Sequence, residues 1–289
     1  MQTIETIAEV REAVAAARRE SKTVGLVPTM GFLHDGHMRL VDTARQENDL
    51  VVVSIFVNPL QFGPNEDFDR YPRDAERDQA MLAEHGCDIV FMPSVDEMYP
   101  RPPETVIELP RMSETLCGRS RPGHFRGVAM VVSKLLHIVQ PDRAYFGRKD
   151  AQQAAIIQRL VEDLNMPVQI VTVPTVRDAD GLAKSSRNVY LTPEERRHAT
   201  VLYRSLNRAK EAILAGERST ARLVQDMRAT LEAEPGVRLD YADIVSLSDL
   251  QPMDKLEGEV LLAVAAYVGK TRLIDNLQMN VTETHATLI

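Results

Sequence analysis

The segment Leu50-Val51-Val52-Val53-Ser54-Ile55-Phe56-Val57 is apolar at almost every position rather than at every second one. A strand of that kind is buried on both faces, as in a parallel sheet covered by helices on each side. Similar short runs occur at 24–28, 88–92, 143–147 and 168–173. Between them lie stretches with helical periodicity at 36–47, 74–85, 127–139 and 149–163. Ile4, Ile7, Val10 and Val14 predict a first helix ahead of all of them. Strand and helix in alternation predict an α/β fold, a doubly wound parallel sheet, over the first 175 residues or so.

From about Arg177 the texture changes. Two long helical segments, 193–215 and 219–233, are followed by strand-like stretches at 239–246 and 259–268, which predicts a second, smaller α+β domain. The expected division is 1–176 and 177–289, with 175–190 as the natural hinge. Residues 62–73 and the last few at the C-terminus are the expected disorder-prone pieces.

Composition narrows the function. Of 289 residues, 44% are hydrophobic and 26% charged, the profile of a globular protein with a sizeable core. The formal net charge of −8 argues against a broad nucleic-acid surface, so an anionic substrate needs a locally basic pocket. No apolar run is long enough for a membrane span, and Glu5, Glu9 and Arg11 interrupt the start of the chain where a signal segment would lie. With Cys87 and Cys117 alone, the sequence argues against a disulfide framework and a thiolate zinc site, and fits a reducing, cytoplasmic setting.

The densest chemistry stands at Pro28-Thr29-Met30-Gly31-Phe32-Leu33-His34-Asp35-Gly36-His37, between the strand at 24–28 and the helix at 36–47. A strand-to-helix turn offers a phosphate backbone N–H groups and the positive end of a helix dipole. Two imidazoles three residues apart reach the same anion. The spacing is not that of a helical zinc motif, and no third ligand is evident.

Four further segments carry candidate groups. Asn58-Pro59-Leu60-Gln61-Phe62 follows the most apolar strand, where open α/β sheets bind ligands, and its two amides suit hydroxyls and a carboxylate. The basic, glycine-punctuated stretch Gly118 to Gly127 contains Arg121 and His124, a second anion contact. At Gly147-Arg148-Lys149-Asp150-Ala151-Gln152-Gln153 a strand again turns into a helix. There Lys149 can neutralise phosphate, and Asp150 can cap the helix or help hold Mg²⁺. The loop Asp180-Gly181-Leu182-Ala183-Lys184-Ser185-Ser186-Arg187-Asn188 presents two hydroxyls between two cations, a polyphosphate clamp. Gly269-Lys270-Thr271 imitates the end of a P-loop, but Val264 stands where the first glycine is required.

Taken together, these residues resemble the pantothenate synthetase (pantoate–β-alanine ligase) family. The resemblance rests on Pro28 to Gly31 with His34 and Gly36-His37, Phe56 to Pro59 with Gln61-Phe62, Gly123 to Phe125 with Gly127-Val128, Lys149-Asp150 with Gln152-Gln153, and Asp180 to Ala183 with Ser185 to Asn188. It covers residues 24–192 by motif and the remainder by layout. It implies a Rossmann-like nucleotidyltransferase domain binding nucleotide and pantoate, and a C-terminal domain covering the ATP site, in a homodimer. The implied reaction joins D-pantoate to β-alanine at the expense of ATP, with Mg²⁺, through a pantoyl adenylate.

By position, the resemblance gives the ATP site to Met30, Gly31, Phe32, Leu33, His34, Asp35, Gly36, His37, Gly147, Arg148, Lys149, Asp150, Val176, Lys184, Ser185, Ser186 and Arg187. His37 has the acid role, His34 supports phosphate, and Lys149, Ser185 and Arg187 complete the catalytic set. Gln61 contacts pantoate and β-alanine and Gln153 contacts pantoate, with Asn58, Arg121 and His124 as further pantoate candidates. Mg²⁺ is held mostly by the ATP phosphates, with Asp150 the one side chain near it.

Two positions depart from the family pattern: Arg148 stands for Glu or Gln, and Lys184 for Leu or Met. Both add positive charge near the expected phosphates, which predicts tighter ATP binding or altered pyrophosphate release. The competing readings are another nucleotidyltransferase, which leaves Asn58, Gln61 and the Gln152-Gln153 pair unexplained, and a nucleotide sensor without turnover. An aminoacyl-tRNA synthetase would need a basic tRNA surface that the chain lacks.

Overall fold

The structure, a computed structural model, describes residues 1–289. In chain order its elements are β1 (Gln2–Ile4), α1 (Ile7–Arg19), β2 (Val24–Thr29), α2 (Asp35–Glu47), β3 (Leu50–Ile55), α3 (Ala75–Glu84), β4 (Ile89–Phe91) and α4 (Val95–Met98). There follow α5 (Pro110–Ser113), α6 (Leu116–Ser120), α7 (His124–Val139), β5 (Arg143–Gly147), α8 (Ala151–Asp163) and β6 (Gln169–Val173). The last third contains α9 (Pro193–Ala199), α10 (Val201–Leu214), α11 (Thr220–Glu232), β7 (Val237–Ser246), β8 (Gly258–Val268), β9 (Thr271–Val281) and β10 (Ala286–Leu288).

Two compact units share these elements. The first comprises residues 1–109, 121–148 and 156–174, and the second 110–120, 149–155 and 175–289. The split is therefore not a single cut near 176. Two short stretches, 110–120 and 149–155, pack with the C-terminal part of the chain.

In the first unit six parallel strands run in the order β1-β4-β3-β2-β5-β6. Strand order reverses between β2 and β5, and ligands of such sheets bind outside the carboxyl ends of the strands at that switch point. The expected all-buried strands are present: Val51, Val52 and Val53 are fully inaccessible, as are Val24, Leu26 and Val27. The first residues depart from expectation, because Ile4 lies in β1 beside β4 rather than in the helix. Thr6 then caps α1, its hydroxyl accepting from the Glu9 amide. Helix α7 begins at His124, three residues earlier than its periodicity announces.

The second unit has an antiparallel sheet in the order β10-β9-β8-β7. Its core joins Leu202, Leu206 and Ile213 of α10 and Leu223, Met227 and Leu231 of α11 to Val260, Leu262 and Val264 of β8. The single helix expected over 193–215 is interrupted at Thr200. Gly269 and Lys270 form the two-residue turn between β8 and β9, with Val268 paired to Thr271, so the P-loop imitation is a hairpin. Residues 62–73 contain no helix or strand beyond a turn, yet they are tied together. Phe62 packs on Phe68 and Tyr71 with ring centroids 5.4 and 6.1 Å apart, and Arg73 donates to the carbonyls of Tyr71 and Phe68.

Candidate active site

Strand β2 ends at Thr29, whose hydroxyl donates to the Ser54 carbonyl (2.8 Å) and accepts from the Gly31 amide (3.2 Å). The chain then reverses through two left-handed residues, Gly31 (φ 81°) and Phe32 (φ 48°), before Leu33 plunges into the core with no exposed surface. His34 is the N-cap of α2. Its Nδ1 accepts from the Gly36 amide at 3.1 Å, while His37 Nδ1 accepts from the His34 amide at 3.3 Å. The two rings lie 4.0 Å apart, tilted by 41°. An Nδ1 that accepts carries no proton, so each imidazole holds its proton on Nε2.

The free N–H groups expected of this turn are largely spoken for. Besides the bonds just named, Phe32 and Leu33 donate at 2.7 Å each to the two oxygens of Asp78 on α3, and the His37 amide donates to the His34 carbonyl. Asp78 is 1% exposed, and burial pushes its carboxyl above the ordinary range against the opposing pull of the Leu33 and Phe32 amides. Arg77, its neighbour on α3, donates to the Leu33 carbonyl at 2.9 Å and lies over the Phe32 ring. No sequence pattern singles out either residue.

Asn58 is expected from the sequence to touch substrate, but the structure commits its amide elsewhere. It is 1% exposed; Nδ2 donates to Gln61 Oε1 (3.2 Å) and the Gly127 carbonyl (3.1 Å), and Oδ1 accepts from the Leu60 amide (3.3 Å) and the Tyr99 hydroxyl (3.0 Å). All four valences of the amide are filled. Asn58 thus sets the Gln61 side chain, whose Nε2 lies 3.2 Å from Met30 Sδ in the histidine loop. Tyr99, another residue the sequence did not mark, has its phenol pushed up to about 12 by burial. Gly127 is required here: a Cβ would meet the Leu60 carbonyl oxygen at 2.3 Å.

Arg121 and His124 both engage the main chain at Gln61. His124 Nδ1 donates to the Gln61 carbonyl (2.8 Å), and Arg121 donates to His124 Nε2 (3.1 Å). Arg121 also grips Glu66 with both arms of its fork, Nε at 2.8 Å. Burial raises the Glu66 carboxyl, but the hydrogen bonds and charge of Arg121 outweigh it and hold the group below its ordinary value. At the carboxyl end of β5, Arg148 Nε lies 3.4 Å from Thr172 Oγ1 on β6.

In the second unit Lys149 and Asp150 belong to a short turn ahead of α8, with Asp150 exposed and the Lys149 carbonyl held by Asn276 Nδ2 at 2.8 Å. Adjacent Gln152 and Gln153 diverge by the helical 100°. Gln152 is buried and clamps the 110–120 stretch, donating to the carbonyls of Met112 and Thr115 and accepting from the Cys117 amide. Gln153 is half-buried.

Val176 and Lys184 face each other, the Lys184 amide donating to the Val176 carbonyl at 2.9 Å. Ser185 caps the following turn by accepting from the Arg187 amide at 3.3 Å, and Ser186 is buried. Lys149, Ser185, Asn188 and Asp275 help line a cavity of about 10 Å³, room for one water, and Asn188 Oδ1 is a buried acceptor with no donor. The Lys184 ammonium, expected to add charge toward phosphates, pairs with Asp178 at 2.7 Å. No group of three or more His, Cys, Asp or Glu side chains is gathered as a metal centre.

The comparisons with known proteins decide between the readings. The pantoate–β-alanine ligase family model matches residues 2–278. The chain belongs to the pantoate–β-alanine ligase family. It is 56% identical to the pantothenate synthetase of Moorella thermoacetica over 283 residues, covering 98% of this chain and all of the relative. The Thermotoga neapolitana pantothenate synthetase is 55% identical, with 96% and 99% covered. Among solved structures, the pantothenate synthetase of Thermus thermophilus superposes with a TM-score of 0.90 at 48% identity, covering 99% of this chain and 100% of that one. The Francisella tularensis pantoate–β-alanine ligase, solved with β,γ-ATP and β-alanine, gives 0.77 at 36% identity, with 96% and 97% covered. The ligase is thus supported across its length, and the parallel sheet with a small antiparallel C-terminal unit is the architecture of this family.

Proposed function

We propose that the histidine loop is where this ligase activates pantoate, as the first half of its ATP-dependent condensation of D-pantoate with β-alanine. A pantoate carboxylate oxygen attacks the α-phosphorus of ATP; the bond from that phosphorus to the bridging oxygen breaks, and pyrophosphate leaves. No side chain needs to act as nucleophile. Hydrogen bonds from Nε2 of His37 and His34 meet the negative charge growing on the phosphate oxygens, with His37 in the acid role. The observation that carries this reading is the pair of imidazoles 4.0 Å apart, each with Nδ1 occupied by a backbone amide.

In the second half the neutral amine of β-alanine attacks the acyl carbon of pantoyl adenylate. The carbon–oxygen bond to phosphate breaks, AMP departs, and the amine gives up a proton. Gln61 orients pantoate and β-alanine and Gln153 orients pantoate. The histidine loop, Gly147 to Asp150, Val176 and Lys184 to Arg187 hold the nucleotide, and the side chains of Lys149, Ser185 and Arg187 address its phosphates.

Magnesium enters as the counter-ion of ATP: the exposed Asp150 carboxylate fits an outer contact to phosphate-bound metal and not a resident site. Cys87 and Cys117, both free and buried, suit a cytoplasmic setting, and the homodimer of the family is carried over with the resemblance. No helix is long and apolar enough to cross a membrane.

Pantoate-dependent exchange of labelled pyrophosphate into ATP, measured without β-alanine, tests the scheme. Exchange is expected, and pantothenate with AMP appears once β-alanine is added. A strict requirement of exchange for β-alanine would overturn the stepwise order.

A further inference from the structure

The reaction scheme leaves one buried charge on its doorstep unused. Asp78 lies on α3, 45 residues beyond the loop it touches, and each of its oxygens takes a 2.7 Å hydrogen bond from a successive backbone amide, Leu33 to Oδ1 and Phe32 to Oδ2. Those amides belong to the left-handed reversal at Gly31 and Phe32, a conformation non-glycine residues adopt only when surroundings over-determine it. A Cβ on Gly31 would lie 3.1 Å from Asp78 Oδ2, so carboxylate and loop are fitted closely to each other. Arg77 completes the grip from the same helix by taking the Leu33 carbonyl and covering the Phe32 ring.

We infer that Asp78 is a positioning residue for catalysis, which fixes the reversal at Gly31–Leu33 so that His34 and His37 are held with Nδ1 on backbone amides and the ring proton on Nε2. The carboxylate occupies the place an anion takes in a backbone nest. With the Phe32 and Leu33 amides consumed by Asp78, those two donors are closed to phosphate. The His34 amide that fixes the His37 tautomer follows directly after Leu33, so a shift of the reversal is transmitted to that bond within one residue. The inference rests on the proposed role of the histidines at the reacting phosphate, and its test separates the two.

The variant is Asp78→Asn, which keeps shape but offers a single acceptor and turns an NH₂ toward the second backbone amide. Nitrogen-15 spectra of the histidine rings in the wild-type ligase are expected to show both His34 and His37 protonated on Nε2 alone. In Asp78→Asn the tautomers should mix, and pantoate-dependent pyrophosphate exchange should fall at least about thirtyfold, with KM for ATP changed less than about threefold. The second half-reaction, started from supplied pantoyl adenylate, should be slowed far less. Tautomers unchanged in a folded variant overturn the inference, whatever the activity does. Mixed tautomers with full exchange uphold the grip of Asp78 and overturn the catalytic role of the histidines. If the variant does not fold, the wild-type protein decides: the Phe32 and Leu33 amides should be shifted downfield and protected from solvent exchange, and rapid exchange at both would overturn the inference.

Discussion

Two loops of this ligase carry groups assigned to the nucleotide, and they are held by opposite means. The loop Pro28–His37 is fixed from beneath by a carboxylate with 1% exposure, a fully buried Leu33 and backbone amides that end on side chains. The loop Asp178–Asn188 is tied by ion pairs at its surface: Asp178 takes Lys184 and Arg196 at 2.7 Å each, and Asp180 takes Arg196 at 2.7 Å, with these side chains 27–48% exposed. Below that tier, one buried pair anchors the second loop, Arg177 to Asp275 at 2.6 and 2.9 Å. Desolvated grips are insensitive to salt and set a geometry in advance, whereas exposed pairs contribute about 0–1 kcal/mol and are screened. The first loop is set mainly by buried hydrogen bonds, and the second by exposed ion pairs above one buried anchor.

The comparison breaks most sharply at the histidines. His37→Ala removes a donor from a pre-set site and should lower pyrophosphate exchange about 10²–10³-fold in a variant whose circular dichroism shows it folded. Next in size is the buried anchor. Asp275→Asn leaves the Arg177 guanidinium without its charge partner and should cost about 3 kcal/mol or more in urea unfolding. A loss under about 1 kcal/mol would place the anchor among the exposed pairs. Gly127→Ala drives a methyl into the Leu60 carbonyl, and should raise KM for pantoate through Gln61 while costing about 1–3 kcal/mol of stability. Lys184→Met breaks the half-exposed pair with Asp178, which keeps Arg196. KM for ATP should stay within about twofold at low salt, while its rise with added salt flattens. A large rise in KM would support the reading in which Lys184 neutralises phosphate.

Smallest is the response to acid. Asp180 is held below the ordinary carboxylate range, chiefly by its hydrogen bond from Arg196. Its folded value is depressed, so its contribution is complete above the unfolded pKa and is lost as pH falls toward the folded one. Asp78 has the opposite sign: its raised value means that stability declines as pH rises from the ordinary carboxylate pKa to the folded one. Melting curves of wild type and Asp180→Asn should therefore converge in acid; a gap that persists at low pH would show that Asp180 acts through packing.

How much was legible follows from the range of each signal. The strand at 50–55 announces itself because burial on both faces needs only a run of apolar residues. Strand β9 had a readable pattern, with Thr271, Leu273, Asp275, Leu277, Met279 and Val281 at every second position, but the central Asp obscured it. That Asp is tolerated inside because Arg177, nearly a hundred residues earlier, meets it. The three residues of β1 are too few to carry a period at all. Likewise, Asn58 and Gln61 stood out as a pair of amides, but only the positions of Tyr99 and Gly127 show that one orients the other.

The sequence by itself determined the alternation of strands and helices, the histidine turn after the second strand, and the family, because these depend on residue type and spacing within a few positions. The tertiary structure alone decided that Asp78 holds the histidine loop, that Arg121 and His124 support Gln61, and that Lys184 answers to Asp178. A carboxylate among several on an ordinary helix has no local signature; its role is conferred by burial against backbone donors far away in the chain.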